Sequence, residues 1–169
     1  MKTTLYIMTG LPFSGKSTLS RALAEHINAV LISFDKVWEE KQEELKKVAD
    51  KNEEWRQVLN HTHKKIKKSL LEGKSVVYDD TNARKEHRDE LRRIAGQALA
   101  DVKIVFLDTP IEKIIKREKE NKTLQNRHEV TSENFLNLKD QFQAPTKEED
   151  AMRFTPLDNV KNWLEDNIK

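Results

Sequence analysis

Gly10-Leu11-Pro12-Phe13-Ser14-Gly15-Lys16-Ser17 is the stretch on which the reading of this chain turns. Its spacing, Gly-x-x-x-x-Gly-Lys-Ser, is that of a phosphate-binding loop. The apolar run Leu5-Tyr6-Ile7-Met8 leads in, and Leu19, Leu23 and Ile27 lead out at helical spacing. A loop between strand and helix turns consecutive backbone N–H groups toward one point, where the helix N-terminus adds partial positive charge. Lys16 brings a full charge for the β- and γ-phosphates, and Ser17 a hydroxyl for Mg²⁺. A chance match in a surface turn would not carry both flanks. Gly10, Pro12, Phe13, Ser14, Gly15, Lys16, Ser17 and Thr18 are therefore expected to contact ATP.

The 169 residues suffice for one sheet covered by helices and are read as a single domain, 1–169. Hydrophobic and charged residues each make up 36%, so most helices must keep a charged face. A net charge of +2 permits a polyanionic partner without requiring one. The absence of cysteine excludes disulfides, thiolate chemistry and cysteine-based metal sites. No apolar run reaches the ~20 residues of a membrane span, and the first residues enter a strand instead of a signal peptide. The expectation is a cytoplasmic protein with no membrane partner.

Working outward, strands are expected at 3–9, 29–33, 75–78, 103–107 and, shortest, 151–155, with helical patterns between them. Lys36 to Glu72 reads as a two-helix excursion, with stripes through Trp38, Leu45 and Val48, then Trp55, Val58, Leu59, Ile66 and Leu70, stopped by Gly73. Arg84 to Ala100 is expected to turn Leu91, Ile94, Ala95, Ala98 and Leu99 inward, and Pro110 to open a helix carrying Ile111, Ile114 and Ile115. Arg117 to Glu129 reads as a charged segment, 117–129, and the final helix is expected to bury Leu157, Val160, Leu164 and Ile168. Strands alternating with helices imply a mostly parallel sheet between helical layers, with ligands at the strand C-termini. Gly10, Asp35, Asp79-Asp80 and Asp108 all fall on that edge.

Phosphoryl transfer requires positioning and charge neutralisation more than covalent chemistry. Asp35 is the candidate base; the competing role is N-cap of the helix at Lys36. Of Asp79 and Asp80, strand alternation turns one toward the nucleotide, and Asp80 is taken as the Mg²⁺ carboxylate beside Ser17; an Asx-turn competes. Asp108 is equally well explained by turn and capping chemistry. Arg117 and Arg127 are candidates to close over the phosphates; a solvated loop is the alternative. His61 and His63 lie on different helix faces, and Lys64, Lys65, Lys67 and Lys68 read as a solvated basic face, with nucleic acid as the alternative partner. Trp38 stands three residues past Asp35, on the acceptor side.

Together, Gly10–Ser17, Asp35, Asp80-Thr81-Asn82 with Arg88, and Phe142-x-x-Pro145 resemble the small AAA-type P-loop kinases related to the 5′-hydroxyl polynucleotide kinase domain. Zeta-toxin-like and chloramphenicol phosphotransferase-like kinases are further relatives. The resemblance covers nearly the whole chain. It implies an α/β three-layer sandwich whose parallel sheet of about five strands runs in the order 2-3-1-4-5, a lid over ATP, and Asp35 as the base for the acceptor hydroxyl. It also implies Asp80, Asn82 and Arg88 near the acceptor or the phosphates, and Arg117 and Arg127 in the lid. Where polynucleotide kinases are expected to carry an arginine after the base, this chain has Trp38. The expected activity is Mg²⁺-ATP-dependent transfer to a polynucleotide or nucleoside 5′-hydroxyl. A small-molecule acceptor (sugar, amino sugar or antibiotic) and an ATPase or switch without acceptor are the alternatives, and a toxin-like kinase with a protein antitoxin is a further class.

Overall fold

Alternating apolar strands and amphipathic helices assemble here into one parallel sheet with helices on both faces. The computed structural model describes residues 2–124 and 132–168. The strands are β1 (Thr4–Thr9), β2 (Val30–Ser33), β3 (Val76–Asp79), β4 (Asp101–Leu107) and β5 (Met152–Phe154). They form a five-stranded sheet in the order β2-β3-β1-β4-β5, every pairing parallel. The helices are α1 (Lys16–His26), α2 (Phe34–Leu45), α3 (Lys51–Leu71), α4 (Lys85–Gln97), α5 (Ile111–Leu124), α6 (Ser132–Gln141) and α7 (Val160–Asn167).

Strand alternation sorts the core into two layers. Leu5 and Ile7 of β1 join Ile32, Phe34, Val58, Ile66, Leu70, Val76, Tyr78, Leu91 and Ile94 under α2, α3 and α4. Tyr6 and Met8 join Leu19, Leu23, Val77, Val105, Leu107, Trp163 and Leu164 under α1 and α7. The excursion from 36 to 72 is thus α2 and α3, packed on the sheet through the first layer. Asp50 caps α3 by accepting from the Asn52 amide, and Gly73, at φ 78°, ends it.

Several sequence expectations need correction. Residues 117–124 continue α5 instead of forming a loop; the segment lacks Gly and Pro and is rich in good helix formers. Residues 125–129 lie outside the described residues. Leu99 is 80% exposed and Leu157 95% exposed. Each belongs to a turn: α4 stops at Gln97, before Leu99, and α7 begins only at Val160, after Leu157. Trp55, expected inside, is 41% exposed, with one edge toward Phe34 and another toward His87.

Candidate active site

Parallel strands end on one edge, and the register across that edge brings the candidate residues together. Ser33 lies opposite Asp79, and Ile7 opposite Tyr78. The chain segments leaving β1, β2 and β3 are therefore neighbours: the phosphate-binding loop, Phe34-Asp35, and Asp79-Asp80.

The loop is shaped by two left-handed residues, Phe13 at φ 64° and Gly15 at φ 103°, with Gly15 in the N-cap position of α1. Left-handed turns of this kind make a nest of inward N–H groups. A Cβ on Gly10, at φ 156°, would stand 3.0 Å from Ser14 Oγ and 3.1 Å from the Leu107 carbonyl oxygen, so any side chain there would be strained. Ser14 Oγ is buried without a hydrogen-bond partner among the described residues, a polar group that a phosphate oxygen would satisfy. The loop residues thus fit a polyphosphate. Ser17 and Thr18 are exposed at the start of α1, with the Ser17 hydroxyl accessible to a metal. Pro12 is half-buried in the loop, and the Phe13 ring tilts against Phe135 of α6 at 6.5 Å.

Lys16 is buried, and its ammonium donates to the carbonyls of Gly10 and Leu11, each at 2.8 Å. Burial lowers its pKa, while Asp79, Asp80 and Asp35, in that order, raise it. All three carboxylates therefore share one electrostatic field with the loop lysine. Asp79 is buried at the end of β3, and the chain bends at Asp80, which is half-buried. Asp80 accepts from the Thr81 amide at 2.7 Å and from the buried Tyr78 hydroxyl at 3.1 Å. Burial pushes its carboxyl up to about 6 against these two hydrogen bonds. Asp35 is exposed in the first turn of α2, whose N-cap is Ser33, so Asp35 does not cap the helix. Trp38 is half-buried against Phe34, ring centres 6.0 Å apart.

Arg117, half-buried on α5, donates from Nη1 to the Phe13 carbonyl at 2.9 Å. That guanidinium nitrogen would also be 3.8 Å from a Cβ on Gly15, so it lies over the loop. Arg127 lies outside the described residues.

Asn82 and Arg88 are both buried and hydrogen-bonded within the protein. Asn82, at φ 44°, donates from Nδ2 to the Met8 carbonyl at 2.8 Å. Arg88 is 0% exposed, and its fork is spent on Glu149 and on backbone carbonyls. Asp108 pairs with Arg153. On the basic face of α3, Lys65 pairs with Glu40 and Lys68 with Glu72, while Lys67 donates to the uncharged amide of Gln97. Among the described residues no group of three or more His, Cys, Asp or Glu is placed to hold a metal, and no helix is long and apolar enough to cross a membrane.

Residues 5–145 match a family described as AAA domain. L-seryl-tRNA(Sec) kinase of Methanococcus maripaludis is 28% identical over 152 residues, covering 83% of this chain and 53% of the relative. The chain thus spans about half the length of that curated relative. Kti12 of Chaetomium thermophilum, in complex with ADP-AlF3, superposes with a TM-score of 0.77 at 19% identity, over 96% of each chain. APS kinase CysC of Mycobacterium tuberculosis, in complex with AMPPNP and APS, gives 0.69 at 20% identity, over 99% of this chain and 96% of that one. With its loop motif, its 2-3-1-4-5 parallel sheet and a family match over residues 5–145, the chain belongs to the AAA-domain family and is built on the α/β fold of the small P-loop kinases.

Proposed function

We propose that this protein is a Mg²⁺-ATP-dependent phosphotransferase that moves the γ-phosphoryl group to an acceptor hydroxyl, with Asp35 as the base. The observation that carries this reading is the sheet register: Ser33 lies opposite Asp79 and Ile7 opposite Tyr78, so Asp35, Asp79 and Asp80 leave strands that neighbour the loop carrying the buried Lys16. A loop that only bound nucleotide would need no exposed carboxylate in the segment leaving the neighbouring strand edge, as Asp35 is.

In this reading, Lys16 has a third N–H for a γ-phosphate oxygen beyond its two bonds to the loop. Asp35 takes the acceptor's hydroxyl proton as the new O–P bond forms and the bond from γ-phosphorus to the β–γ bridging oxygen breaks, releasing ADP. Arg117, and Arg127 by the same reasoning, neutralises charge spreading over the transferred group. Ser17 and a carboxylate of Asp79 or Asp80 would hold Mg²⁺, which needs few protein ligands when phosphates complete its shell. When bound there, the ion would supply neutralisation of phosphate charge.

Two acceptor classes follow from separate observations. The seryl-tRNA kinase relative and the resemblance to polynucleotide kinases favour a hydroxyl carried by a nucleic acid or nucleoside. Trp38, packed on Phe34 beside Asp35 in place of a cation, favours a small acceptor without a phosphate to grip. A screen with γ-labelled Mg²⁺-ATP should compare 5′-hydroxyl oligonucleotides, seryl-tRNA, nucleosides, sugars and aminoglycosides. Label in one acceptor supports the reading and names its class. Label only in free phosphate, whatever the acceptor, would overturn it in favour of an ATPase or switch.

A further inference from the structure

Arg88 and Glu149 form a buried ion pair that the reaction scheme does not use. Arg88 sits on α4 with no exposed surface, and Glu149 belongs to a 3₁₀ turn, Lys147–Glu149, ahead of β5. Nε and Nη2 of Arg88 donate to the two carboxylate oxygens of Glu149, each at 2.8 Å. Glu149 is held in turn by the Thr146 amide at 3.0 Å and by Arg92 Nη2 at 3.2 Å.

The remaining face of the guanidinium points at backbone. Nη1 donates to the carbonyls of Asn82 and Gln143, each at 3.0 Å. Asn82 lies in the turn that follows Asp79-Asp80, and this turn is zipped to the start of the phosphate-binding loop. Thr9 Oγ1 donates to the Thr81 and Asn82 carbonyls at 3.2 Å, the Gly10 amide donates to the Thr81 carbonyl at 3.2 Å, and Asn82 Nδ2 donates to Met8. The Gln143 amide closes the far side on Ala83 at 2.8 Å.

We propose that the Arg88–Glu149 pair is a positioning device for phosphoryl transfer: it clamps the turn at residues 79–83 onto the phosphate-binding loop and so sets the carboxylates of Asp79 and Asp80 against Lys16. The proposal rests on the phosphotransferase reading above. A buried ion pair is a poor choice for stability alone, since apolar replacements of similar volume are often as stable. A planar fork can hold one carboxylate and two carbonyls in fixed directions, which an apolar side chain cannot. Both residues act through the turn, without touching the reacting atoms.

The test uses Glu149→Gln, which keeps the shape, and the paired change Arg88→Met with Glu149→Leu, which removes both buried charges. Three properties are read well below the thermal midpoint: affinity for AMPPNP, ADP formation from Mg²⁺-ATP, and hydrogen exchange of the Gly10 amide. The expected result is a folded paired variant that binds AMPPNP within a few-fold of wild type. Its kcat should fall by about a hundredfold, with KM for ATP little changed, the order that a misplaced catalytic group costs. Gly10 exchange should accelerate by about tenfold or more, as local opening becomes easier. Wild-type kcat in the folded variants, or unchanged Gly10 exchange, would overturn the proposal. Failure of both variants to fold would also overturn it, leaving the pair a purely structural role. If wild type itself forms no ADP, the phosphotransferase reading fails, and Gly10 exchange alone still decides whether the pair holds the turn.

Discussion

Replacing Glu149 by glutamine should cost stability in a way that pH reveals. The hydrogen bonds from Arg88, first among several causes, hold the Glu149 carboxyl down at about 2, against an ordinary value of 4.5. That difference corresponds to about 3 kcal/mol of stabilisation of the ionised form in the folded chain. Because the folded pKa is depressed, the contribution is fully present above pH 4.5 and is lost as pH falls toward 2. Glu149→Gln should therefore unfold about 6 to 12 °C below wild type at pH 7, at about 2–4 °C per kcal/mol for a domain of this size. The gap should narrow steadily when both proteins are melted at pH values stepping from 5 down to 2.5. A gap that stays constant across that range would refute the reasoning, because the cost would then come from lost packing and not from the charge. Equal midpoints at pH 7 would refute it more directly.

Three further outcomes are expected. Lys16→Ala should abolish ADP formation while leaving a folded protein by circular dichroism; retained turnover would remove the loop from the account. Arg117→Ala should lower kcat by about tenfold or more while weakening ATP affinity less, as for one lost electrostatic donor; an unchanged kcat would reduce Arg117 to a brace on the Phe13 carbonyl. Gly10→Ala should lower stability by about 1–3 kcal/mol, since its new methyl meets the Leu107 backbone at 3.1 Å; a wild-type midpoint would show that the loop yields there.

The sheet and its active edge were legible in the sequence because their signals are local. Apolar runs of three or four residues mark β1 to β4, and the loop motif lies between a strand and a helix. What was not legible depends on distance or on where an element stops. Glu149 meets Arg88 across 61 residues, and no spacing rule links a glutamate near the C-terminus to an arginine on α4. Without that partner, Arg88 after Asp-Thr-Asn looks like an acceptor-side cation. Leu99 and Leu157 fit helical stripes by period, but the helices end before one and begin after the other. The segment from Arg117 to Leu124 carries charge on every side, which hid its helix, since amphipathicity and not propensity was the signal sought.

In the proposed reaction, Asp35 accepts the proton of the acceptor hydroxyl beside the donor site held by Lys16. The most direct measurement is the single-turnover rate of γ-phosphoryl transfer by Asp35→Asn, taken beside its ATP dissociation constant and with the acceptor that labels best in wild type. Transfer should fall by at least about a hundredfold while ATP affinity stays close to wild type, the pattern of a lost general base. Transfer at the wild-type rate would contradict the account and leave Asp35 as a charge in the first turn of α2.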